Sequence, residues 1–506
     1  MNTTENEMKE FVLSHAAKLQ TEKAAPPISF ESSGEFTLPD YMEPMQKVLR
    51  LSTKVLMPTV AQAGGQMQMQ GSELHSLIYV GQSGEVCATV LPTDYRLTAP
   101  GESAPEAFAV DLAETNTTYR LLGPRKISLR AKSAAQVRAY PTEDLSPKIA
   151  VGDHGDSVCC LEKSVRGRKR RYYDAIEVNV DERVDAPQGA KPVWCDATAA
   201  VTDIRVQDGN AEIRGDVYAK VLFANGAHAE MIEKKIRFDT ALPLAGDGAS
   251  GAFAAAQVQS TEVSEESGGY MLDAVVQLRV CAETTEEISL CTDVFSTFAP
   301  VETQTAKISA VEPLFLRQGV FSVTGSAPVG TLADAVRILD TAGEAKIEST
   351  AFENGRIRVR GHGEMQAIYE TENGYGCGNF SLPFELSFDG AAGDDGACGA
   401  DAEIVSARTR VDGDRLICDM EVAVTVFAER RREENAVVSV TLREDTPYEK
   451  AKHPLCIVYP KDGQSLWSLA KEYRTAPEEI QTENRLSPLP PDAPRTWDSP
   501  LLLLYK

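Results

Sequence analysis

Apolar and polar positions alternate with a period of two through most of this chain. Ala211, Ile213, Val217, Ala219, Val221 and Phe223 alternate with Glu212, Arg214, Asp216, Tyr218 and Lys220. That period predicts a long strand with one buried and one wet face. Ile357, Val359, Met365, Ala367 and Tyr369 repeat the pattern against Arg356, Arg358, Arg360, Glu364 and Gln366. Asp208-Gly209 and Asn354-Gly355 head these two runs, and such pairs favour type I′ hairpin turns. Similar alternation predicts strands through Ile127–Val137, Leu272–Val280 and Leu416–Val426. Two stretches, 42–49 and 332–339, read instead as short helices, because Asp40 with Glu43 and Thr331 with Asp334 have capping-box spacing or its near relative.

The glycines reveal a repeat. Gly65 and Gly71 precede Leu77-Ile78-Tyr79; Gly209 and Gly215 precede Val221-Leu222-Phe223; Gly355 and Gly361 precede Ala367-Ile368-Tyr369. Six residues separate the glycines each time, six more lead to the triplet, and Leu49, Val193 and Leu339 each stand 22 residues before the second glycine. The second glycines recur after 144 and 146 residues, which marks three copies of one domain. Gly215 and Gly361, inside strands, predict a bulge or a close backbone approach. The expected fold is mainly β: three tandem antiparallel sandwich or barrel-like domains with a small βααβ module at the end. The divisions fall at 1–30 (a polar, mildly helical segment), 31–150, 151–305, 306–447 and 453–506.

Residues 141–147 and 300–313 read as strand-poor links, and 390–401 as a loose Gly/Asp hairpin loop without EF-hand spacing. The basic cluster Arg166, Arg168, Lys169, Arg170 and Arg171 reads as a solvated face. From about residue 453 the pattern changes. Leu455, Ile457 and Tyr459 alternate as a strand, and Leu466, Trp467, Leu469, Ala470 and Tyr473 take helical spacing behind Ser465 as cap. Thr475 and Glu478 have capping-box spacing with Pro477 in the first turn of a second helix, and 501–505 forms a closing strand.

Composition narrows the function. At about 150 residues per domain, 506 residues predict three to four domains. A net charge of −24 disfavours general binding to nucleic acid and to anionic membrane surfaces. No apolar run approaches the ~20 residues of a spanning helix, and no secretory h-region is read at the amino terminus. The ten cysteines form no CxxC pair and read as free thiols in a reducing compartment, with Cys281 and Cys418 as small buried hydrophobes. Phosphate-loop, dinucleotide, nucleophile-elbow and HExxH signatures are absent, and the six histidines have no metal-ligand spacing. The chain therefore reads as a protein without catalytic activity, cofactor or metal.

The terminal text IVYPKDGQSLWSLAKEYRTAPEEIQTENRL resembles a LysM module, a family that binds N-acetylglucosamine polymers through two loops. The resemblance places those loops at 461–465 and 485–497; Gln464 stands where the family has aspartate, and the second loop is long and proline-rich. FTLPDYMEPMQKVLR, RLLGPRKISLRA and the strands ending in VLF or AIY are similar to SPOCS domains, which occur in tandem ahead of a LysM module in clostridial spore-coat morphogenetic proteins. The resemblance implies a coat-assembly scaffold in the mother-cell cytoplasm, docked at the forespore surface to the ATPase of the coat basement layer through the LysM module. Partner contacts are then expected at Lys461, Asp462, Gly463, Gln464, Ser465, Arg485, Leu486 and Trp497. Trp467 is read as helix packing and Trp497 as a loop anchor for the partner. The alternative is a wall or cortex protein that grips peptidoglycan glycan through the same loops.

Overall fold

The computed structural model describes residues 9–11, 17–100, 108–151, 154–226, 228–246, 248–266, 268–390, 396–449, 455–497 and 499–504. The fold is mainly β, with several antiparallel sheets. Short strands β1 (Lys9–Phe11), β2 (Lys18–Gln20) and β3 (Lys23–Ala24) precede the first copy. That copy comprises β4 (Ile28–Thr37), β5 (Met45–Val55), β6 (Thr59–Ala63), β7 (Gln66–Gly81), β8 (Val86–Pro100), β9 (Phe108–Gly123) and β10 (Lys126–Ala139). β11 (Thr142–Asp144), β12 (Lys148–Val151) and β13 (Val158–Tyr172) lead to the second copy. Its strands are β14 (Ile176–Val184), β15 (Lys191–Gln207), β16 (Asn210–Asn225), β17 (His228–Pro243), β18 (Ala249–Glu266) and β19 (Gly269–Ser296). The third has β20 (Val301–Pro328), β21 (Arg337–Glu353), β22 (Arg356–Thr371), β23 (Gly374–Asp389), β24 (Ala397–Asp412) and β25 (Arg415–Leu442). The terminal module follows as β26 (Leu455–Val458), α1 (Leu466–Tyr473), α2 (Pro477–Glu483) and β27 (Leu501–Leu504).

Each copy is a sandwich of two antiparallel sheets. One is a meander with a 16-residue central strand: β5/β6–β7–β8, β15–β16–β17 and β21–β22–β23. The other centres on the last strand of the copy: β4–β10–β9, β14–β19–β18 and β20–β25–β24. The alternating residues read from the sequence fill the space between the sheets; Ile213, Val217 and Phe223 meet Leu272, Val276 and Val280 in one apolar cluster. The hairpin turns are left-handed at both positions, with φ of 50° and 75° at Asp208-Gly209 and 52° and 78° at Asn354-Gly355, as a type I′ turn requires.

The repeated landmarks mark distortions of the strands. Leu49, Val193 and Leu339 are each skipped by the strand ladder, so that Arg50, Trp194 and Asp340 face Ile78, Leu222 and Ile368. These bulges correct the expected helices at 42–49 and 332–339. The capping-box pairs cap no α-helix: residues 45–49 belong to β5 and 337–339 to β21, with only a three-residue 3₁₀ turn, Gly330–Leu332, ahead of the latter. Opposite Gly215 and Gly361 lies a second irregularity, and the facing strand carries Phe238 or Phe384 against the glycine. A Cβ on Gly215 would stand 2.2 Å from the Phe238 ring and 2.6 Å from the Ala200 carbonyl oxygen.

The three meanders close a ring: β8 packs against β15, β17 against β21, and β23 against β5. Leu49, Trp194, Leu339, Ile78, Leu222 and Ile368 share the core inside it. Beside that core stands an ion cluster with one member from each copy. Asp340 is paired to Arg50 and, at 2.7 Å, to Lys220, whose ammonium also donates to the Thr341 carbonyl. Arg50 donates to both the side-chain and main-chain oxygens of Gln366. Burial alone would raise the Asp340 carboxyl, but Arg50 and Lys220 hold it well below the usual carboxylate range. Glutamine amides stitch the copies further by imitating a strand. Gln257 bonds Val55 O and Met57 N of the first copy, and Gln318 bonds both backbone groups of Ala254.

Several expectations change here. The supposed wet face of β16 is covered in its second half, where Asp216 and Tyr218 are buried. Residues 301–313 belong to β20, whose outer half pairs with the outer half of β25. The 390–401 stretch lies partly outside the described residues, and Ala397 already begins β24 rather than a loop. Of the amino-terminal segment, the described parts include strands β2 and β3, not a helix. The basic cluster is only half solvated, because it sits on β13 and alternate residues turn inward. Arg168 pairs with Glu429 and Glu22, Arg170 with Glu283 and Tyr140, while Arg166 and Lys169 stay exposed. All ten cysteines are free; Cys418 is buried in the third sandwich, and Cys281 is buried against Ala109, Tyr140 and Tyr172, on the face of β19 turned away from its own sandwich core.

Candidate functional site: the terminal module and its two loops

β26 and β27 pair antiparallel, and α1 and α2 cover one face of that ribbon. Ser465 caps α1 by accepting the Ser468 N–H at 3.1 Å. The capping box at Thr475 does not form. Ala476 is the N-cap of α2, Pro477 takes the first turn, and the buried Thr475 hydroxyl donates to the Tyr473 carbonyl. Asn484 ends α2 and ties it to the closing strand: its amide donates to Leu502 O while its oxygen accepts Leu502 N–H.

The two expected loops lie side by side and are bonded to each other. Gly463, at φ 82°, donates its N–H to Arg495 O, and Trp497 Nε1 donates to Gln464 O at 2.9 Å. Ser465 bridges Pro494, while Gln464 spans its own loop by accepting Lys461 N–H and donating to Glu472. Arg495 is buried and holds the second loop in shape by donating to the Ser487 and Leu489 carbonyls. Lys461, Asp462, Gly463 and Arg485 are exposed, with Arg485 in a left-handed conformation. Gln464, Ser465 and Leu486 are half-buried. Trp497, read as a loop anchor for the partner, is half-buried against the module's apolar cluster and fastens one loop to the other.

Trp467 does more than pack the module. It is buried, meets Phe295 edge-on at 4.9 Å, and donates Nε1–H to Asp293 at 2.9 Å. Lys471, one turn further on α1, places its ammonium 2.8 Å from both Asp293 oxygens. Burial would raise the Asp293 carboxyl, yet the bonds from Lys471 and Trp467 hold it below its ordinary value. Cys159 and Leu161 of β13 join the same cluster, and Arg474 stacks its guanidinium 3.6 Å from the centre of the Tyr448 ring. The module is thus seated on the outer halves of β13 and β19 through α1. A module of about fifty residues has a small core of its own, so this seat adds apolar burial that it otherwise lacks. Sequence reasoning missed the seat: Trp467 and Lys471 share a helix face, but nothing in the local text of Asp293 marks it as their partner.

Among the described residues, no group of three or more His, Cys, Asp or Glu side chains stands together as a metal site. No described helix is long and apolar enough to cross a membrane. No protein-family model, curated protein or solved structure matches the chain.

Proposed function

We propose that the chain is a non-enzymatic scaffold of spore-coat assembly, a tandem-SPOCS protein whose LysM-like module docks to the basement-layer ATPase at the forespore surface in the mother cell. The observation that carries this reading is the terminal module itself, whose laced loops leave Lys461, Asp462, Gly463 and Arg485 open to a partner while α1 is spent on anchoring. The three copies support it differently: their meander edges are consumed within the ring, which makes them a rigid mount for one docking element.

The test is binding of the purified full chain to the purified ATPase. Lys461→Glu with Arg485→Glu is expected to weaken binding at least about tenfold, roughly 1.4 kcal/mol, without moving the melting temperature. Binding to N-acetylglucosamine oligomers with no affinity for the ATPase would favour the wall-binding alternative and overturn the proposal.

A further inference from the structure

The vicinal cysteines of β13 have different surroundings, because successive residues of a strand face opposite ways. Cys159 turns toward the terminal module, whereas Cys160 packs into a second cluster with Val158, Val294, Val437 and Val440. Cys291 of β19 belongs to that second cluster and is buried, while Cys160 is only partly so. The ladder explains the meeting. Cys160 pairs with Val294 and Glu162 with Cys291, and the intervening Thr292 is skipped, so a bulge bends β19 between the two cysteines. The two side chains thus share one apolar cluster diagonally across the bulge, and the Cys291 thiol donates to the Asp293 carbonyl at 3.7 Å.

The geometry points to Cys160 and Cys291 as a dithiol that a peroxide converts to a disulfide within the folded protein. Exposure divides the roles. Cys160 is the more accessible of the two and meets the peroxide first, while Cys291 is buried behind it. Burial pushes Cys159, Cys195 and Cys281 up to about 12, which leaves them poor nucleophiles. The Cys160 thiolate attacks one peroxide oxygen; the S–O bond forms, the O–O bond breaks, and the departing hydroxide takes a proton to become water. Cys291 then loses its proton and its sulfur displaces hydroxide from the Cys160 sulfenic acid, giving the S–S bond and a second water. Two thiols are oxidised by two electrons and one hydrogen peroxide is reduced. Leu161 and Asp293, which pair with each other beside the bulge, are the residues on which the terminal module sits. The cross-link therefore forms directly beneath the module's seat.

The experiment treats the full folded chain with hydrogen peroxide, blocks remaining thiols with iodoacetamide, and maps the digest by tandem mass spectrometry. A link between Cys160 and Cys291 with loss of two hydrogens is expected in the wild type and in Cys159→Ser. Cys291→Ser is expected to lose the link and to accumulate a dimedone adduct on Cys160. The inference fails if no link forms in the wild type, if Cys159→Ser abolishes it, or if it appears only after urea unfolds the chain.

Discussion

At the scale of single residues, the repeated glycines answer to the aromatic residue beside them. Tyr95, Phe238 and Phe384 lie across the ladder from Gly71, Gly215 and Gly361, and each ring covers the place where a Cβ would stand. In the first copy the Tyr95 hydroxyl also donates to Leu56 O where β5 gives way to β6. The Ala200 carbonyl presses on Gly215 as well, and backbone cannot step aside as a flexible side chain can. Gly215→Ala is therefore expected to cost about 1–3 kcal/mol, as overpacking of a filled core does, read from the denaturant midpoint. Phe238→Leu in the same chain should recover part of that loss; a Gly215→Ala protein as stable as the parent would contradict the packing argument.

At the scale of elements, period-two alternation carried most of the fold. The strands, the type I′ turns and the βααβ order of the module were all legible, because each depends on local pattern. The bulges were not, since an inserted residue breaks the same alternation that identifies a strand. Triplets such as Leu77-Ile78-Tyr79 are three apolar residues in a row, which means a strand covered on both faces, and Ile78 does turn away from its own sandwich into the ring. In the module the sequence located the loops but not the bonds between them, nor the role of Trp497 as a fastener.

The central strand of the first copy also breaks the apolar rule. Glu73 and His75 are buried where the second copy has Val217 and Ala219. Ser133 and Ser32 donate to Glu73, while Thr53 and Thr93 bond the two ring nitrogens of His75 at 2.8 and 2.9 Å. Burial lowers the pKa of His75, and Glu73 offsets this only in part. A histidine whose folded pKa lies below its unfolded value near 6.5 leaves the unfolded chain with more bound protons in mild acid, so stability falls as pH drops below that value. The contribution approaches about 1.4 kcal/mol per pH unit between the two pKa values. Urea midpoints measured from about pH 7.5 down to about pH 5 should decline less steeply in His75→Gln. An unchanged slope in the variant would place the proton uptake elsewhere.

For the whole molecule, the Arg50–Asp340–Lys220 cluster holds three copies at one point. Its contribution depends on completeness, because a buried charge without its partner is far more costly than a pair. Asp340→Asn removes the buried carboxylate opposite Arg50 and Lys220 and is expected to destabilise the chain by about 3–5 kcal/mol, measured by chemical denaturation. The folded Asp340 carboxyl lies below its ordinary value, so its contribution is present above the unfolded pKa and disappears as pH falls through the folded one. A loss below about 1 kcal/mol would mean that the cluster is an incidental contact.

The same cluster has a consequence for how such a molecule is encoded. Arg50, Trp194 and Asp340 occupy one and the same place in their respective copies. Three separate, identical polypeptides assembled with the same symmetry would bring together three arginines or three aspartates, which repel. Opposite charges at matching positions require copies that differ in sequence, and divergence of the three copies within this chain supplies that difference.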